Sequence, residues 1–350
     1  MESGLMLLVP DIRHTPHVFF HRVIFLICGF IVCPLLIYLL LFLSRYFVPY
    51  LLYFVLSAAA LLIVIAPIRI AWPVAAKADC SSRFRFVCLS CCLLTPALIV
   101  SAGVFNNNHP QLKECSIELP RKASSLKELK IVFASDFHLD PDDDHVLDRF
   151  ITKANSARPD IILIGGDMMQ PSVAPNLDKL KMLLRRLRAR YGVYAIKGNE
   201  DGNEFNREFY ASAGIKLLEE NIEKIDSSFY LAGFQKESGL IEDFLKAAPD
   251  DLPVILLRHI PKDLEIISRS RVDLQLSGHT HNGQLFPLNL LIMPRYYELA
   301  HGIKVKRNTI FAVTCGIRSW DSPVKTAGYS EILFIKVSFR SDINTPAVTG

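Results

Sequence analysis

What this sequence has least of is charge. Only 21% of its 350 residues are charged, against 51% hydrophobic, and mean hydropathy is +0.27. Soluble enzymes rarely have that balance, so membrane segments are the first expectation. The net charge of +4 is too small to point to nucleic acid as a partner. Acidic residues are nearly missing from the first third, where only Glu2, Asp11 and Asp79 precede Glu114. Cysteine is present but badly placed for chemistry. Cys28, Cys33, Cys80, Cys88, Cys91 and Cys92 lie before residue 107, and only Cys115 and Cys315 follow. Cys88, Cys91 and Cys92 have no histidine near them in an apolar run, so they read as small apolar filler. Internal repeats are also lacking.

Residues 23–43 carry no charge. That length crosses a hydrocarbon core of roughly 30 Å. Two more apolar runs follow, over 46–67 and 86–105. A cleaved signal peptide does not fit, because the first run is too long and a second follows at once. Ser44 and Arg45 are all that separate the first two runs, which predicts a tight helical hairpin. Arg13 and Arg22 precede the first run, and Arg69, Lys77, Arg83 and Arg85 precede the third. With three spans, the positive-inside rule places the C-terminal part outside; if 86–105, interrupted by Pro96, does not span, that part is cytoplasmic.

The texture changes at Asn106-Asn107-Asn108-His109-Pro110, which reads as a linker. This divides the chain into a membrane anchor over 1–106 and a second domain over 107–350. In that domain, short β-branched runs alternate with amphipathic stretches. Strands are expected at 131–133, 161–164 and 193–196, with helices at 146–157 and 177–190 between them. The alternation predicts α/β layering that starts parallel. Further strands at 229–231, 254–257, 274–276, 310–313 and 331–337 require more than one sheet. The stretch 177–190 bears Lys179, Lys181, Arg185, Arg186, Arg188 and Arg190, a solvated basic face or one for anionic lipid. Its Leu180, Leu183, Leu184 and Leu187 have core spacing.

Five of the strands are followed by polar clusters: Ser135-Asp136-Phe137-His138, Gly165-Gly166-Asp167, Gly198-Asn199-Glu200-Asp201, Arg258-His259 and Gly278-His279-Thr280-His281-Asn282-Gly283. Strand ends of α/β sheets are where sites gather. Two cations roughly 3.5–4 Å apart need a bridging carboxylate and flanking ligands. Asp-x-His and His-x-His each supply two ligands from one extended segment, since i and i+2 point the same way. Any one cluster is common surface chemistry; five in this order are not.

The ordered set resembles the calcineurin-like metallophosphoesterases, whose pattern is Asp-x-His, Gly-Asp, Gly-Asn-His-Asp/Glu, a lone His and Gly-His-x-His. The resemblance covers residues 129–337. It implies an α/β fold of four layers, two mixed β-sheets packed together with helices outside, here preceded by transmembrane helices. It implies two divalent metal ions as cofactors, manganese first, with iron or zinc as the alternatives. Asp136, His138 and His281 would bind one ion, and Asn199, His259 and His279 the other, with Asp167 bridging. Asp167, Asn199 and Glu200 are the expected catalytic positions. The motif tail through Gln284 and Pro287 is similar to a membrane-linked bacterial branch, as are Tyr296 or Tyr297, Gly302 and Cys315-Gly316.

One position departs from the pattern: Glu200 stands where the family has a histidine that can protonate the leaving oxygen. A phosphate leaving from an anhydride does not need that proton. The UDP-2,3-diacylglucosamine pyrophosphatases of the lipid A pathway cut such an anhydride, and their soluble form also lacks this histidine. Similarity to their membrane-tethered form implies cleavage to UMP and 2,3-diacylglucosamine 1-phosphate. It implies a lipid-linked nucleotide sugar and the membrane as partners, and a domain on the cytoplasmic side of the inner membrane. The alternatives are an envelope phosphodiesterase or phosphatase with another substrate, and a membrane scaffold with a decayed catalytic domain. Usable ligands at all seven positions count against decay.

Overall fold

The structure is a computed structural model that describes residues 33–71, 82–141, 143–170, 176–236 and 240–349. The chain divides into two compact units, Met1–Val48 and Pro49–Gly350.

Residues 23–32 of the first apolar run lie outside the described residues. Its remainder belongs to one helix, α1 (Cys33–Ala71). The hairpin expected at Ser44 and Arg45 is absent, and the backbone stays helical through both. The stretch has no glycine to break it, and serine and arginine each cost a helix interior only about 0.5 kcal/mol or less relative to alanine. The third run forms α2 (Ser82–Asn107), which continues through Pro96. Arg45–Val64 and Phe86–Asn107 are each long and apolar enough to cross a membrane. Many of their large apolar side chains are exposed, among them Leu62, Ile63, Phe86 and Leu98.

The expected linker is a second correction. The helix runs through Asn107, and its end docks into the rest of its own unit. Asn106 donates from Nδ2 to the carbonyls of Lys325 and Gly328, at 2.9 and 3.1 Å. Asn107 is fully buried and accepts from Ser319 N at 2.7 Å. Asparagine marks a loop in sequence because it bonds to backbone groups; here that ability closes a tertiary junction. The 106/107 boundary falls between these two residues.

The rest is built on two mixed sheets. The first has the order β13-β1-β12-β2-β3-β4-β5. Its strands are β1 (Gln111–Pro120), β2 (Glu128–Ala134), β3 (Ile161–Ile164), β4 (Val193–Ala195), β5 (Lys216–Leu217), β12 (Glu331–Arg340) and β13 (Ala347–Val348). From β2 to β5 all pairs are parallel, as expected. The second has the order β10-β11-β9-β8-β7-β6. It comprises β6 (Asn221–Ile225), β7 (Phe229–Gly233), β8 (Val254–Leu257), β9 (Leu274–Ser277), β10 (Gly302–Lys306) and β11 (Thr309–Val313).

Side-chain alternation builds the layers. Ile131, Phe133 and Leu163 meet Ile255, Leu257 and Leu276 between the sheets. Val132, Ala134 and Ile162 point the other way, toward α3 (Asp144–Ser156), α4 (Leu177–Leu184) and α5 (Arg207–Ser212). Ala232 and Leu256 of the second sheet pack under α6 (Ile241–Lys246) and α7 (Leu264–Ser268). The layers are therefore helix, sheet, sheet, helix. The helix expected over 177–190 stops at Leu184, although Leu187 is still buried. Its basic residues are satisfied locally: Lys179 pairs with Asp144, Arg186 with Asp148, and Arg188 with backbone carbonyls. The helix carries a solvated basic face.

Candidate metal centre

The five polar clusters reach one edge, across the seam of the two sheets. Asp136 and His138 follow β2, Asp167 follows β3, and Asn199 and Glu200 follow β4. His259 follows β8, and His279 and His281 follow β9. The backbone at these positions is unusual. Asp136, His138, Asp167, His279 and His281 have φ of 56°, 38°, 54°, 70° and 49°. Each such residue costs about 1–3 kcal/mol and persists only where its surroundings fix it. Here the first two loops are bonded together: Asp136 N donates to Gly166 O at 2.9 Å, and Phe137 N to Asp167 O at 2.8 Å.

Two trios result, Asp136 with His138 and His281, and Asp167 with His259 and His279. In each trio the candidate ligand atoms lie within 4.8 Å of one another. The trios are joined by both carboxylates: Asp136 Oδ1 lies 3.7 Å from His281 Nε2 and 3.9 Å from His259 Nε2. Asp167 Oδ1 accepts from Glu200 N at 2.8 Å. That leaves Oδ2, which lies 3.0 Å from His259 Nε2 and 3.7 Å from His138 Nε2. Asp136 is fixed by His279 N, which reaches its two oxygens at 2.8 and 3.0 Å. Both carboxylates depend on a bare neighbour. A Cβ on Gly198 would collide with Asp167 Oδ1, and one on Gly278 with Asp136 Oδ2.

The histidines are oriented as cation ligands. His259 Nδ1 bonds to Gly165 O at 2.7 Å and His281 Nδ1 to Arg318 O at 2.9 Å, so Nδ1 carries the proton and Nε2 faces inward. His259 Nε2 is buried without a hydrogen-bond partner, and His138 Nε2 faces His281 Nε2 at 3.2 Å. Burial lowers His138 and His279 to about 4 and also holds His281 well below its usual value, so these three imidazoles are neutral near pH 7. Neutral imidazole is the ligating form. His259 differs: burial pushes it down, but Asp167 beside it carries it up to about 9. Burial raises Asp136 to about 6 against the pull of His259. Two imidazole nitrogens 3.2 Å apart, a buried nitrogen without a hydrogen-bond partner and two carboxylates between them fit a pair of divalent cations.

Asn199 stands apart, at the exposed rim. Its Nδ2 donates to Glu200 Oε1 at 2.9 Å, which leaves Oδ1 as the atom able to take a cation. Glu200 thus holds the neighbouring loops by its backbone and orients the amide by its side chain.

Residues 129–283 match the family model of the calcineurin-like phosphoesterases. Over those residues the chain is similar to that family. A zebrafish (Danio rerio) protein described as a transmembrane protein with metallophosphoesterase domain is 30% identical over 283 residues, 74% of this chain and 64% of its own length. An uncharacterized metallophosphoesterase of Helicobacter pylori is 29% identical over 242 residues, 65% of this chain and 64% of its own. One from Aquifex aeolicus is 28% identical over 232 residues, 61% of this chain and 87% of its own. The chain therefore spans less than two thirds of the first two. Bacterial and animal chains both appear among these likenesses.

In this domain several further groups support the centre without being among its proposed ligands. Asp201 accepts from the backbone N–H groups of Asp167, Met168 and Gly198, each at 2.8 Å. Its place two residues after Asn199 is the one sequence signal for it. Lys325 is fully buried and donates to Cys315 O and Gly316 O at 2.7 and 2.8 Å. Nothing in the sequence marks it. Of the two tyrosines, Tyr297 packs edge-on to His279, with ring centroids 6.1 Å apart. Gln284 is a tie: it exchanges hydrogen bonds with the Trp320 backbone and its carbonyl accepts from Thr326 and Ala327. A third group, His301, Cys315 and Glu331, also clusters within 4.8 Å. Glu331 Oε1 there already accepts from Thr314 Oγ1, Cys315 N and His301 Nε2, so the group braces the Cys315-Gly316 turn behind Asp136.

Two clefts open on the centre, with Asn199 lining both. One, of about 700 Å³, is lined by Lys197, Lys236, Arg258 and Lys262 beside His259. The other, of about 470 Å³, runs from His138, Asp167 and His279 to Leu285, Leu288, Ile292, Met293 and Trp320.

Proposed function

We propose that this chain is a membrane-tethered, metal-dependent hydrolase of phosphoric anhydrides. Its proposed substrate is UDP-2,3-diacylglucosamine, cut to UMP and 2,3-diacylglucosamine 1-phosphate at the cytoplasmic face of an inner membrane. The observation that carries the hydrolase reading is Asp167 Oδ2, which faces one histidine of each trio. Asp136, His138 and His281 would hold one cation, Asn199, His259 and His279 the second, and Asp167 both; manganese is the proposed ion. Bound there, divalent cations supply Lewis acidity toward phosphoryl oxygens and lower the pKa of water. The residues of the chain supply position. The hydrogen bond from Glu200 N fixes which oxygen Asp167 turns inward. The carbonyls of Gly165 and Arg318 fix the tautomers of His259 and His281.

Three features support the finer substrate reading. Glu200 puts a carboxylate where an imidazole would protonate an alkoxide, and a phosphate leaving group dispenses with that proton. The basic cleft suits a nucleotide diphosphate, and the apolar cleft suits acyl chains. Residues 107–350 hold every proposed ligand, and the apolar helices before them would serve as anchor.

The test is product analysis. The full-length protein with Mn²⁺ and UDP-2,3-diacylglucosamine is expected to release UMP. Chelation should stop release, Mn²⁺ should restore it, and Asp167→Ala should abolish it. Turnover indifferent to chelator would overturn the two-cation reading. Metal-dependent hydrolysis of an aryl phosphodiester without UMP release would keep the hydrolase and reject the substrate.

A further inference from the structure

The segment after the second His-x-His motif is apolar where solvent should face it. Helix α8 (Leu288–Tyr296) exposes Leu290 by 60%, Leu291 by 68% and Tyr296 by 72%, and Phe286 just before it by 53%. Its opposite side, through Leu288, Ile292 and Met293, walls the apolar cleft at the metal centre. Arg295 is its one charged residue, and it lies in the last turn. Soluble surfaces seldom carry a contiguous patch of this kind.

The neighbour of this patch identifies what covers it. Tyr53 OH bonds to Phe286 O at 2.7 Å and to Thr326 Oγ1, which itself accepts from Phe286 N at 3.0 Å. Tyr53 lies within the apolar stretch Arg45–Val64, about 12 Å along the axis from Arg45, the one charged residue of that stretch. Gly103, about 6 Å inside the end of the second stretch at Asn107, packs on Val324 and Thr326. Loops 285–287 and 324–326 therefore meet the helices within their apolar stretches, Phe286 at Tyr53 and residues 324–326 at Tyr53 and Gly103. A segment held at that depth lies below the headgroup level if those helices cross a bilayer.

We propose that the face of Leu290, Leu291 and Tyr296 with Phe286 is immersed in the membrane leaflet. On this reading α8 is an interfacial helix whose outer side contacts lipid acyl chains. Its inner side offers the apolar part of a lipid-linked phosphoric substrate a path to the cations without leaving the bilayer. Arg295 at its end reaches the headgroup region, as a long cationic side chain does. The substrate half of this statement rests on the hydrolase reading above; the immersion does not.

The experiment is photocrosslinking of the full-length protein in phosphatidylcholine–phosphatidylglycerol vesicles that carry a diazirine in the acyl chain, with adducts mapped by mass spectrometry. Adducts are expected on the peptide spanning 286–296 as well as on the two apolar helices, and not on 254–263 beside the basic cleft. Leu290→Ser with Leu291→Ser should lose the 286–296 adducts and keep those on the helices. The same variant should show a lower kcat/KM ratio of vesicle-borne to water-soluble substrate. Adducts confined to the apolar helices, or an unchanged ratio, would overturn the proposal. Adducts on 286–296 in a protein that hydrolyses no phosphodiester would instead refute the hydrolase reading and leave the immersion standing.

Discussion

Asp201 shows what a single side chain does behind the proposed metal ligands. Its carboxylate accepts three backbone N–H groups, from Asp167, Met168 and Gly198. Burial raises its pKa, and those N–H groups pull against that rise. Asp201→Ala leaves the three donors unpartnered beside Asp167. Each orphaned buried donor costs about 1–3 kcal/mol, so a loss of about 3 kcal/mol or more is expected. Metal affinity should fall about 10–100-fold, the usual effect of an outer partner. Denaturant melts and metal titration check both; unchanged metal affinity would show that Asp167 is held by other means. The seven proposed ligand positions could be named from the sequence because ligands must appear as His, Asp or Asn at fixed spacings. Asp201 stood in the Gly198-Asn199-Glu200-Asp201 cluster, but its role, like that of Lys325, comes from backbone groups that gather only in the fold. His301 adds a titration. Its hydrogen bonds to Cys315 and to Glu331 raise it to about 10. A raised histidine stabilises the folded state fully below its unfolded pKa near 6.5, and that contribution is lost as pH climbs through 10. Lys325, lowered to about 8 by burial, works the other way: its desolvation cost fades from pH 8 upward. The difference between wild type and His301→Gln isolates the histidine. The variant's stability deficit should shrink between pH 6.5 and 10, and a deficit constant with pH would remove the assignment.

At the scale of elements, strands were the most readable part. The runs 161–164 and 254–257 are strands at those bounds, because four apolar residues with both faces covered have no competing conformation. Strands β1, β5, β6, β10 and β13 were missed. Gln111–Pro120 and Gly302–Lys306 are largely half-covered and polar, so neither alternation nor an apolar run announces them. Their placement comes from pairing: β1 lies beside β12 over ten residues. The α2 end was misread for a related reason, since its asparagines are polar but bonded inward. Gly103→Val tests that junction. Its side chain would collide with Val324 and Thr326, and overpacking costs about 1–3 kcal/mol. The loop 324–326 should move, and with it Lys325 under the Gly316 turn that abuts Asp136. Lower stability together with lower activity on a water-soluble diester is expected. Full activity would show that the helix end and the centre are not coupled.

For the whole molecule, the question is where the catalytic unit begins. Sequence alone puts the cut in the polar stretch after residue 106, since every proposed ligand lies beyond it. The packing argues for an earlier start. A chain beginning at Lys113 loses Gln111 N, which donates to Ser330 O at 2.8 Å. It loses Asn107, whose oxygen caps Ser319 N next to the carbonyl of Arg318 that orients His281. It also loses Asn106, which ties Lys325 and Gly328. With the bonds from Ser330 N to Asn106 Oδ1 and from Arg149 to Asn108 O, at least six hydrogen bonds are removed, at about 1 kcal/mol each. Against a domain stability of about 5–15 kcal/mol, the shortened chain should still fold, with a lower melting temperature and weaker hold on the cation at His281. A chain beginning at Ser101 keeps all of these contacts while losing all of α1 and most of α2. It should bind two equivalents of Mn²⁺ and hydrolyse a water-soluble phosphodiester at close to the full-length rate. The comparison of the two starts by calorimetric metal titration decides the matter. Equal cation affinity and equal melting would mean that the helix end is a tether alone, and that the catalytic unit begins at β1.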